Sequence, residues 1–288
     1  MRGLVGDLPS RPDGKGRIRS AALLHTACVD LSALTLHEGS RTRASGRVVA
    51  YRGDVWFEPP MPVRLVGHAP ENEPPPRPSG VGVLTSGVRL DLLSPRVEKD
   101  GGVAGRATLA GVWRGGRLDV VDQGEPRDED PWRPFWSTPP CPPPPQGWPQ
   151  VPVGSNIEPS PPESIPGRVS VVVFRPTPTQ VVLVVATSRP EEAEALLRPV
   201  YGDALCVVAS RWSPDQVDAV RQALHEHGTE WGVYEFGGRA GEDAQITVIA
   251  KVVRIVPAVT EWCLTLPDGI VEIIPWLAPM DPRSAAGR

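Results

Sequence analysis

Short runs of β-branched and aromatic residues, separated by turn residues, dominate the hydrophobic pattern between residues 46 and 121. The runs cover residues 47–51, 55–57, 63–66, 81–93, 103–113 and 118–121. This spacing is typical of an all-β barrel or sandwich. Gly115-Gly116 marks the clearest hairpin, because glycine readily adopts the positive φ angles that a two-residue turn requires. We therefore predict a small all-β domain over residues 41–123, with an OB-like barrel as one form of it.

From residue 167 to residue 281, β-branched runs alternate with helical periods in the order β-β-α-β-α-β-β-α-β. Ser188 with Glu191, and Ser213 with Gln216, match the capping box that begins a helix. The apolar stripes expected to be buried are Ala193, Leu196, Leu197 and Val200 in the first helix and Val217, Val220 and Leu224 in the second. This order predicts an α+β sandwich with a mixed sheet, and it assigns the whole chain to the α+β class.

Prolines crowd residues 124–166, between these two regions. The chain has 36 prolines among 288 residues, well above the usual share of about 5%, and a stretch without amide donors favours an extended connector. Trp132, Trp136 and Trp148 are large apolar side chains that a solvated spacer does not need, so we expect the connector to be partly docked. The ends of the chain are predicted to be a loose N-terminal arm (residues 1–40) and a tail (residues 282–288).

The net charge of −4 conceals two halves of opposite sign. Residues 1–122 hold 17 basic and 13 acidic side chains, whereas residues 123–288 hold 13 basic and 21 acidic ones. Because the arginines of the first half are interspersed with acids, nucleic acid is not favoured as a partner. No apolar run reaches the roughly 18 residues of a membrane span, and no signal-peptide core is present. We therefore expect a cytoplasmic protein.

Common catalytic and metal-binding motifs are absent from the sequence. It contains no H-E-x-x-H, G-x-S-x-G or Walker motif and no C-x-x-C pair. His225 and His227 lie two residues apart on a predicted helix, so they point about 200° apart and cannot share one metal ion. We predict no catalytic residue, no metal ligand and no cofactor.

Two glycine-containing segments are candidate binding sites, and each has a simpler structural interpretation. The candidate residues are Gly237, Gly238, Arg239 and Gly241 in one segment and Trp113, Arg114 and Arg117 in the other. The first segment offers backbone amides and a guanidinium to an anion, although flanking strands favour a hairpin tip. The second contains an RGG element, for which a hairpin turn is favoured over nucleic-acid binding. Trp136 and Trp148 of the connector complete the candidate binding residues.

Two short motifs in the connector and one in a later strand resemble a pattern in uncharacterised actinobacterial proteins. The motifs are Pro140-Cys141-Pro142, Gly147-Trp148 and Leu205-Cys206-Val207. The resemblance covers the connector and the first half of the last region. It implies kinship, and those proteins have no established activity to transfer.

Cys141 and Cys206 are a candidate disulfide. In a strand, alternation places Cys206 on the face opposite to Leu205 and Val207. If the docked connector crosses that face, the two sulfur atoms approach, and a bond would close a loop of about 65 residues. The alternative is a pair of reduced thiols, which a cytoplasmic compartment favours, with Cys206 as a small buried hydrophobe.

The leading functional hypothesis is a non-enzymatic binding protein with a protein partner, because catalytic motifs are missing and aromatic residues lie in the connector. One alternative is a hydrolase or transferase with a site between the two folded regions. The other is an OB-like barrel that binds single strands or oligosaccharides. Exposed aromatic side chains among Tyr51, Trp56 and Trp113 would favour that last hypothesis.

Overall fold

The computed structural model describes residues 31–60, 76–127, 138–151, 164–241 and 243–280. It confirms the α+β class, with strands in both halves of the chain and α-helices between Pro190 and Cys263. Across these described ranges, no helix combines the length and the apolar character needed to cross a membrane.

Six strands of the first half form one sheet. They are Arg41–Tyr51 (β1), Asp54–Glu58 (β2), Val83–Ser86 (β3), Val97–Lys99 (β4), Gly102–Arg114 (β5) and Arg117–Gly124 (β6). Neighbours follow the order β1-β2-β3-β6-β5-β4, and an additional pairing of β1 with β5 closes five of the strands into a ring. The β3–β6 pair is parallel, and the other pairs are antiparallel. The predicted strand-rich region is thus a five-stranded barrel.

Long strands and tight turns allow this ring to close. β1 pairs with β5 from Arg41 opposite Val112 to Ala50 opposite Val103, which leaves the other edge of β5 to β6 and β4. In the turn Gly115-Gly116 both residues have positive φ, 53° and 78°. This is the conformation of a type I′ turn, whose twist matches that of the flanking strands, so the predicted hairpin is confirmed.

The strand predicted over residues 81–93 is only partly formed. β3 ends at Ser86, and Gly87 has a φ of 77°. Because a strand needs extended backbone, this left-handed residue ends the pairing, and a 3₁₀ turn follows at Leu90–Leu92. The strand predicted at residues 63–66 lies outside the described residues.

The described residues of the C-terminal half form two three-stranded sheets and four α-helices. The elements are Arg168–Phe174 (β7), Val182–Thr187 (β8), Pro190–Tyr201 (α1), Leu205–Ala209 (β9), Pro214–Glu226 (α2), Gly228–Trp231 (α3), Val233–Ala240 (β10), Ile246–Val252 (β11), Pro257–Cys263 (α4) and Val271–Pro275 (β12). Apart from the short α3, this is the predicted order of elements. The sheets are β7-β8-β9 and β10-β11-β12.

Each of these two sheets is built in the same way. A hairpin forms its first two strands, and a helix then returns a third strand parallel to the second. Each sheet is mixed, as predicted, but the prediction of one sheet is wrong, because the strands form two separate sheets. A crossover helix brings its strand back to the sheet that the chain has just left, so each ββαβ unit completes its own sheet.

The two predicted capping boxes have different outcomes. Ser213 Oγ accepts a hydrogen bond from the Gln216 amide at 3.2 Å, and the Ser213 amide donates to Gln216 Oε1 at 2.8 Å, so the box at α2 is formed. At α1 the N-cap is Arg189, and Pro190 is the first helical residue. The box predicted from Ser188 is wrong, because proline favours the first helical position and moves the helix start beyond it.

The predicted apolar stripe of α1 is only half buried. Ala193 and Leu197 are fully buried, whereas Leu196 and Val200 are 46% and 70% exposed. Residues four apart lie above one another on a helix. Ala193 and Leu197 therefore form one row that faces the sheet, and Leu196 and Val200 form a neighbouring row that faces solvent. The predicted stripe of α2 is buried throughout.

The apolar core of the barrel continues into the C-terminal half. The indole of Trp276, which follows β12, contacts the ring of Phe57 with 4.5 Å between ring centroids. Val253 and Leu277 belong to the same buried cluster as the barrel side chains. The two halves of the chain therefore share buried apolar surface.

The described end of the predicted N-terminal arm, residues 31–40, is packed. Leu31 is buried in the core beneath α2, and Leu36 is buried in the barrel core. The Trp113 amide donates to the Ser40 carbonyl at 2.8 Å. This segment connects the cores of both halves.

Candidate functional site

Connector residues 138–151 lie across one face of the β7-β8-β9 sheet. Trp148 is 7% exposed and packs in a cluster with Phe174 and Val184. Backbone hydrogen bonds join the end of this segment to the loop between β7 and β8. The connector is docked here, as predicted from its tryptophans, while Trp132 and Trp136 lie outside the described residues.

A disulfide bond joins Cys141 of the connector to Cys206 of β9, with 5.8 Å between their Cα atoms. Cys206 faces the connector, whereas Leu205 and Val207 belong to the cluster on the opposite, α1 side of the sheet. The alternation is confirmed and the candidate disulfide is present, so the alternative of two reduced thiols is wrong for this structure. The bond fixes the connector to the last strand of this sheet.

A groove of 610 Å³ lies where the connector, β9 and α1 meet. The connector contributes Pro142 and Trp148 to one wall, α1 contributes Glu191 and Glu194 to the other, and Val207 of β9 lies between them. Ligand pockets in proteins commonly have volumes of about 300–1,000 Å³. The groove therefore has the size of a binding site.

Among the described residues that line this groove, three are carboxylates and one is a guanidinium, so this part of the lining is negatively charged. Arg198 Nε donates to Glu194 Oε1 at 2.6 Å, and its Nη1 donates to the Leu205 carbonyl at 3.1 Å. Asp203 accepts a hydrogen bond from a connector side chain. Glu191 is exposed in the first turn of α1. Arg198 is thus occupied in holding α1 to β9, and the carboxylates set the charge of the rim.

The glycine segment predicted as a candidate anion site has a different structure. Gly237, Gly238 and Arg239 lie within β10, and neither glycine has a positive φ. A backbone loop that binds anions needs alternating right- and left-handed residues, so these strand residues cannot form one. The Arg239 guanidinium pairs with Glu272 of β12. The structure does not form the candidate anion loop at these residues. The hairpin favoured from the sequence is present, because β10 and β11 pair antiparallel, but its turn lies further along the chain, from Gly241.

The RGG element of the barrel is a hairpin turn, as favoured from the sequence. Arg114 and Arg117 face each other at the ends of β5 and β6, and Arg114 lies 3.7 Å from Asp119. Trp113 is buried in the barrel core, and the guanidinium carbon of Arg254 lies 5.6 Å from its ring centroid. Trp113 is therefore a core residue and has no exposed face for a ligand.

Two half-buried aromatic side chains, Tyr51 and Trp56, lie on the outer face of β1 and β2. Phe57, next to Trp56, points into the core. The guanidinium carbons of Arg52 and Arg77 lie 5.2 Å and 5.9 Å from the centroid of the Tyr51 ring. These distances are within the range of cation–π interactions. This face therefore combines aromatic rings with positive charge.

A buried carboxylate supports this face. Glu58 is 1% exposed and accepts hydrogen bonds from Arg47 Nη1 and from Ser79 Oγ, each at 2.9 Å. Arg47 Nη1 also donates to the Arg77 carbonyl at 3.4 Å. Through these bonds Glu58 fixes the segment before β3, and with it the position of Arg77 beside Tyr51.

His225 lies in the last turn of α2, and His227 is the C-cap residue of this helix. The His227 ring stacks on Trp231 with 4.8 Å between centroids. Among the described residues, no three or more His, Cys, Asp or Glu side chains group together in a way that could hold a metal ion.

Sequence reasoning missed both the acidic groove and the position of Arg77 beside Tyr51. Each depends on segments that are distant in sequence and carry no shared pattern. Comparison with known proteins found no matching family model, no similar curated protein and no similar solved structure. The function is therefore inferred from geometry.

Proposed function

We propose that the protein is a non-enzymatic binding protein whose barrel is an OB-like ligand-binding module. The observation that carries this proposal is the strand order: β5-β1-β2-β3 is a Greek-key order, and β6 closes it into five strands. OB folds are five-stranded Greek-key barrels that bind oligonucleotides or oligosaccharides on the face of their second and third strands.

The ligand class that fits this face best is a single-stranded nucleic acid. A base stacks on the half-buried Tyr51 ring in place of one of the two guanidinium groups that lie over it, and the displaced Arg52 or Arg77 side chain contacts a phosphate. Trp56 lies on the same outer face, opposite Leu84 of β3. A neutral oligosaccharide would use the rings and leave the guanidinium groups without a matching charge. From the sequence, nucleic acid was not favoured as a partner because acidic residues are interspersed among the arginines. The position of Arg77 at the Tyr51 ring supports a nucleic-acid ligand despite this charge pattern.

Fluorescence anisotropy of the full chain with labelled oligothymidylate, and with a labelled neutral malto-oligosaccharide, tests this proposal. Tyr51→Phe keeps the ring and should keep affinity, whereas Tyr51→Ala should weaken oligothymidylate binding by roughly tenfold or more, since base stacking contributes about 1–3 kcal/mol. Arg77→Ala should also weaken oligothymidylate binding, because it removes one of the two guanidinium groups near Tyr51. Its matched control is Arg211→Ala, which removes an exposed arginine of the C-terminal half and should leave this binding unchanged. Tighter binding of the neutral sugar, or equal affinity in Tyr51→Ala, contradicts the nucleic-acid assignment.

The alternative of a hydrolase or transferase has less support. A cleft of 170 Å³ lies between the barrel and the C-terminal half, where Glu230 and Arg254 are the ionisable residues of its described lining. An acid–base or nucleophilic mechanism needs a converging set of such groups. Turnover of generic ester, phosphate or peptide substrates that a single polar substitution abolishes would favour this alternative.

The disulfide favours an oxidising compartment over the cytoplasm expected from the sequence, because cytosolic thiols are kept reduced. Kinship with the actinobacterial proteins stays a prediction from the motifs around Cys141 and Cys206. Thiol alkylation in intact host cells, followed by mass spectrometry, tests the compartment: both cysteines should be protected from alkylation. Complete alkylation of both would assign the protein to a reducing compartment.

A further inference from the structure

Strand β9 has one edge that no described strand pairs with. Among the described strands, β9 pairs with β8 alone. The Ser210 amide donates to the Thr187 carbonyl of β8 at 2.9 Å, so alternation directs the backbone groups of residues 205, 207 and 209 to the opposite edge. Consistently, the carbonyls of Leu205 and Ala209 accept side-chain hydrogen bonds from Arg198 and Gln245.

The central residue of this edge, Val207, has a different environment. The carbonyl oxygen of Val207 lies 4.0 Å from the Sγ atom of Cys141. That sulfur belongs to the disulfide and has no proton to donate. Val207 also lines the acidic groove, with the connector on one side and α1 on the other. The groove therefore places this edge of β9, at Val207, between an apolar wall and an acidic wall.

We infer that this groove binds an extended, basic segment of a partner protein, which adds to the edge of β9 at Val207. Strand addition to a sheet edge is a recurring mode of peptide recognition, in which main-chain hydrogen bonds give affinity and flanking pockets read alternate side chains. An amide of the segment donates to the Val207 carbonyl, and its carbonyl accepts from the Val207 amide. This site is separate from the barrel face and does not depend on its ligand.

The negative charge of the groove indicates that the partner segment is basic. In the described lining of the groove, Glu191, Glu194 and Asp203 stand against one basic residue, Arg198, which already bonds to Glu194 and to the backbone of β9. Because side chains alternate along a strand, a segment with lysine or arginine at every second position directs these charges to the α1 wall. Its other side chains then face Trp148 of the connector wall.

The probes are labelled octapeptides of alternating threonine and lysine, measured by fluorescence anisotropy with the full oxidised chain. We expect binding of this peptide, and roughly tenfold weaker binding of a form that is N-methylated at alternate residues, because N-methylation removes the hydrogen bonds of strand addition. A threonine–glutamate octapeptide should not bind. Glu191→Lys should weaken binding, and Glu226→Lys, which reverses an exposed charge on α2, should not.

Val207→Pro removes the central edge amide at a position where an edge strand tolerates proline, and it should abolish binding. If this variant does not fold, the comparison of methylated and unmethylated peptides still decides the question. Equal affinity of the methylated and unmethylated peptides would overturn strand addition. Equal affinity of the lysine and glutamate peptides would overturn the preference for a basic partner. If the lysine peptide does not bind at all, the proposed site is overturned. The oligothymidylate affinity of Glu191→Lys should equal that of the wild type.

Discussion

The indole nitrogen of Trp276 donates its proton to the carbonyl oxygen of Ser45 at 3.0 Å, although the two residues are 231 positions apart. Ser45 lies on β1, and Trp276 follows the last strand of the C-terminal half. The next residue on β1, Gly46, has no room for a side chain, since a Cβ there would lie 2.7 Å from the indole and 2.3 Å from the Glu58 carbonyl. This contact joins the barrel to the C-terminal half.

Trp276→Ala should lower the free energy of unfolding by about 3 kcal/mol, because it removes a large ring from a packed cluster. Trp276→Phe keeps much of the ring contact and should cost about 1 kcal/mol, mainly the lost hydrogen bond. Urea denaturation followed by circular dichroism measures both values. A cost for the alanine variant below that of the phenylalanine variant would contradict the packing role.

Arg47→Ala should lower the free energy of unfolding by about 2 kcal/mol, because it removes a charged hydrogen bond to the buried Glu58 carboxylate, while Arg47 itself is 38% exposed and Ser79 still donates to Glu58. The matched comparison is Arg211→Ala. Arg211 pairs with Asp243 at a similar distance, 3.0 Å, but both of those side chains are more than half exposed, so its loss should cost less than about 1 kcal/mol. Equal costs in the two variants would show that burial of Glu58 is not the deciding factor.

Cys141→Ala should lower the free energy of unfolding by about 4 kcal/mol, since the bond that it removes closes a loop with a sequence separation of 65 residues. A reductant should destabilise the wild type by a similar amount and leave the variant unchanged. Denaturation with and without dithiothreitol measures both effects. A variant that the reductant destabilises further would indicate that another bond carries the effect.

Ser213→Ala should destabilise the protein by about 1 kcal/mol, because it removes the capping box of α2. Ser188→Ala should change the free energy of unfolding by less than about 0.5 kcal/mol, since the α1 N-cap is Arg189. Thermal unfolding of the two variants compares them directly. A larger loss of stability in Ser188→Ala than in Ser213→Ala would indicate that the capping box predicted at Ser188 does form.

The hydrophobic pattern by itself determined most of the local structure. Alternation and turn glycines predicted the hairpin at Gly115-Gly116, the period of α2 predicted its buried stripe, and the tryptophans of the connector predicted its docking. A disulfide between Cys141 and Cys206 could also be considered from the sequence, because strand alternation fixes the face on which Cys206 lies. The hairpin, the helix stripe and the face of Cys206 depend on residues that are close in sequence, whereas the position of the connector beside Cys206 depends on segments that are distant in sequence.

Only the tertiary structure decided how the elements assemble. Closure of the barrel depends on the pairing of β1 with β5, and the acidic groove depends on the edge of β9, on α1 and on the connector meeting in one place. Arg77 reaches Tyr51 because Glu58 holds the segment before β3. No local pattern encodes such contacts, because strand pairing and side-chain packing between distant segments are selected by the free energy of the whole fold.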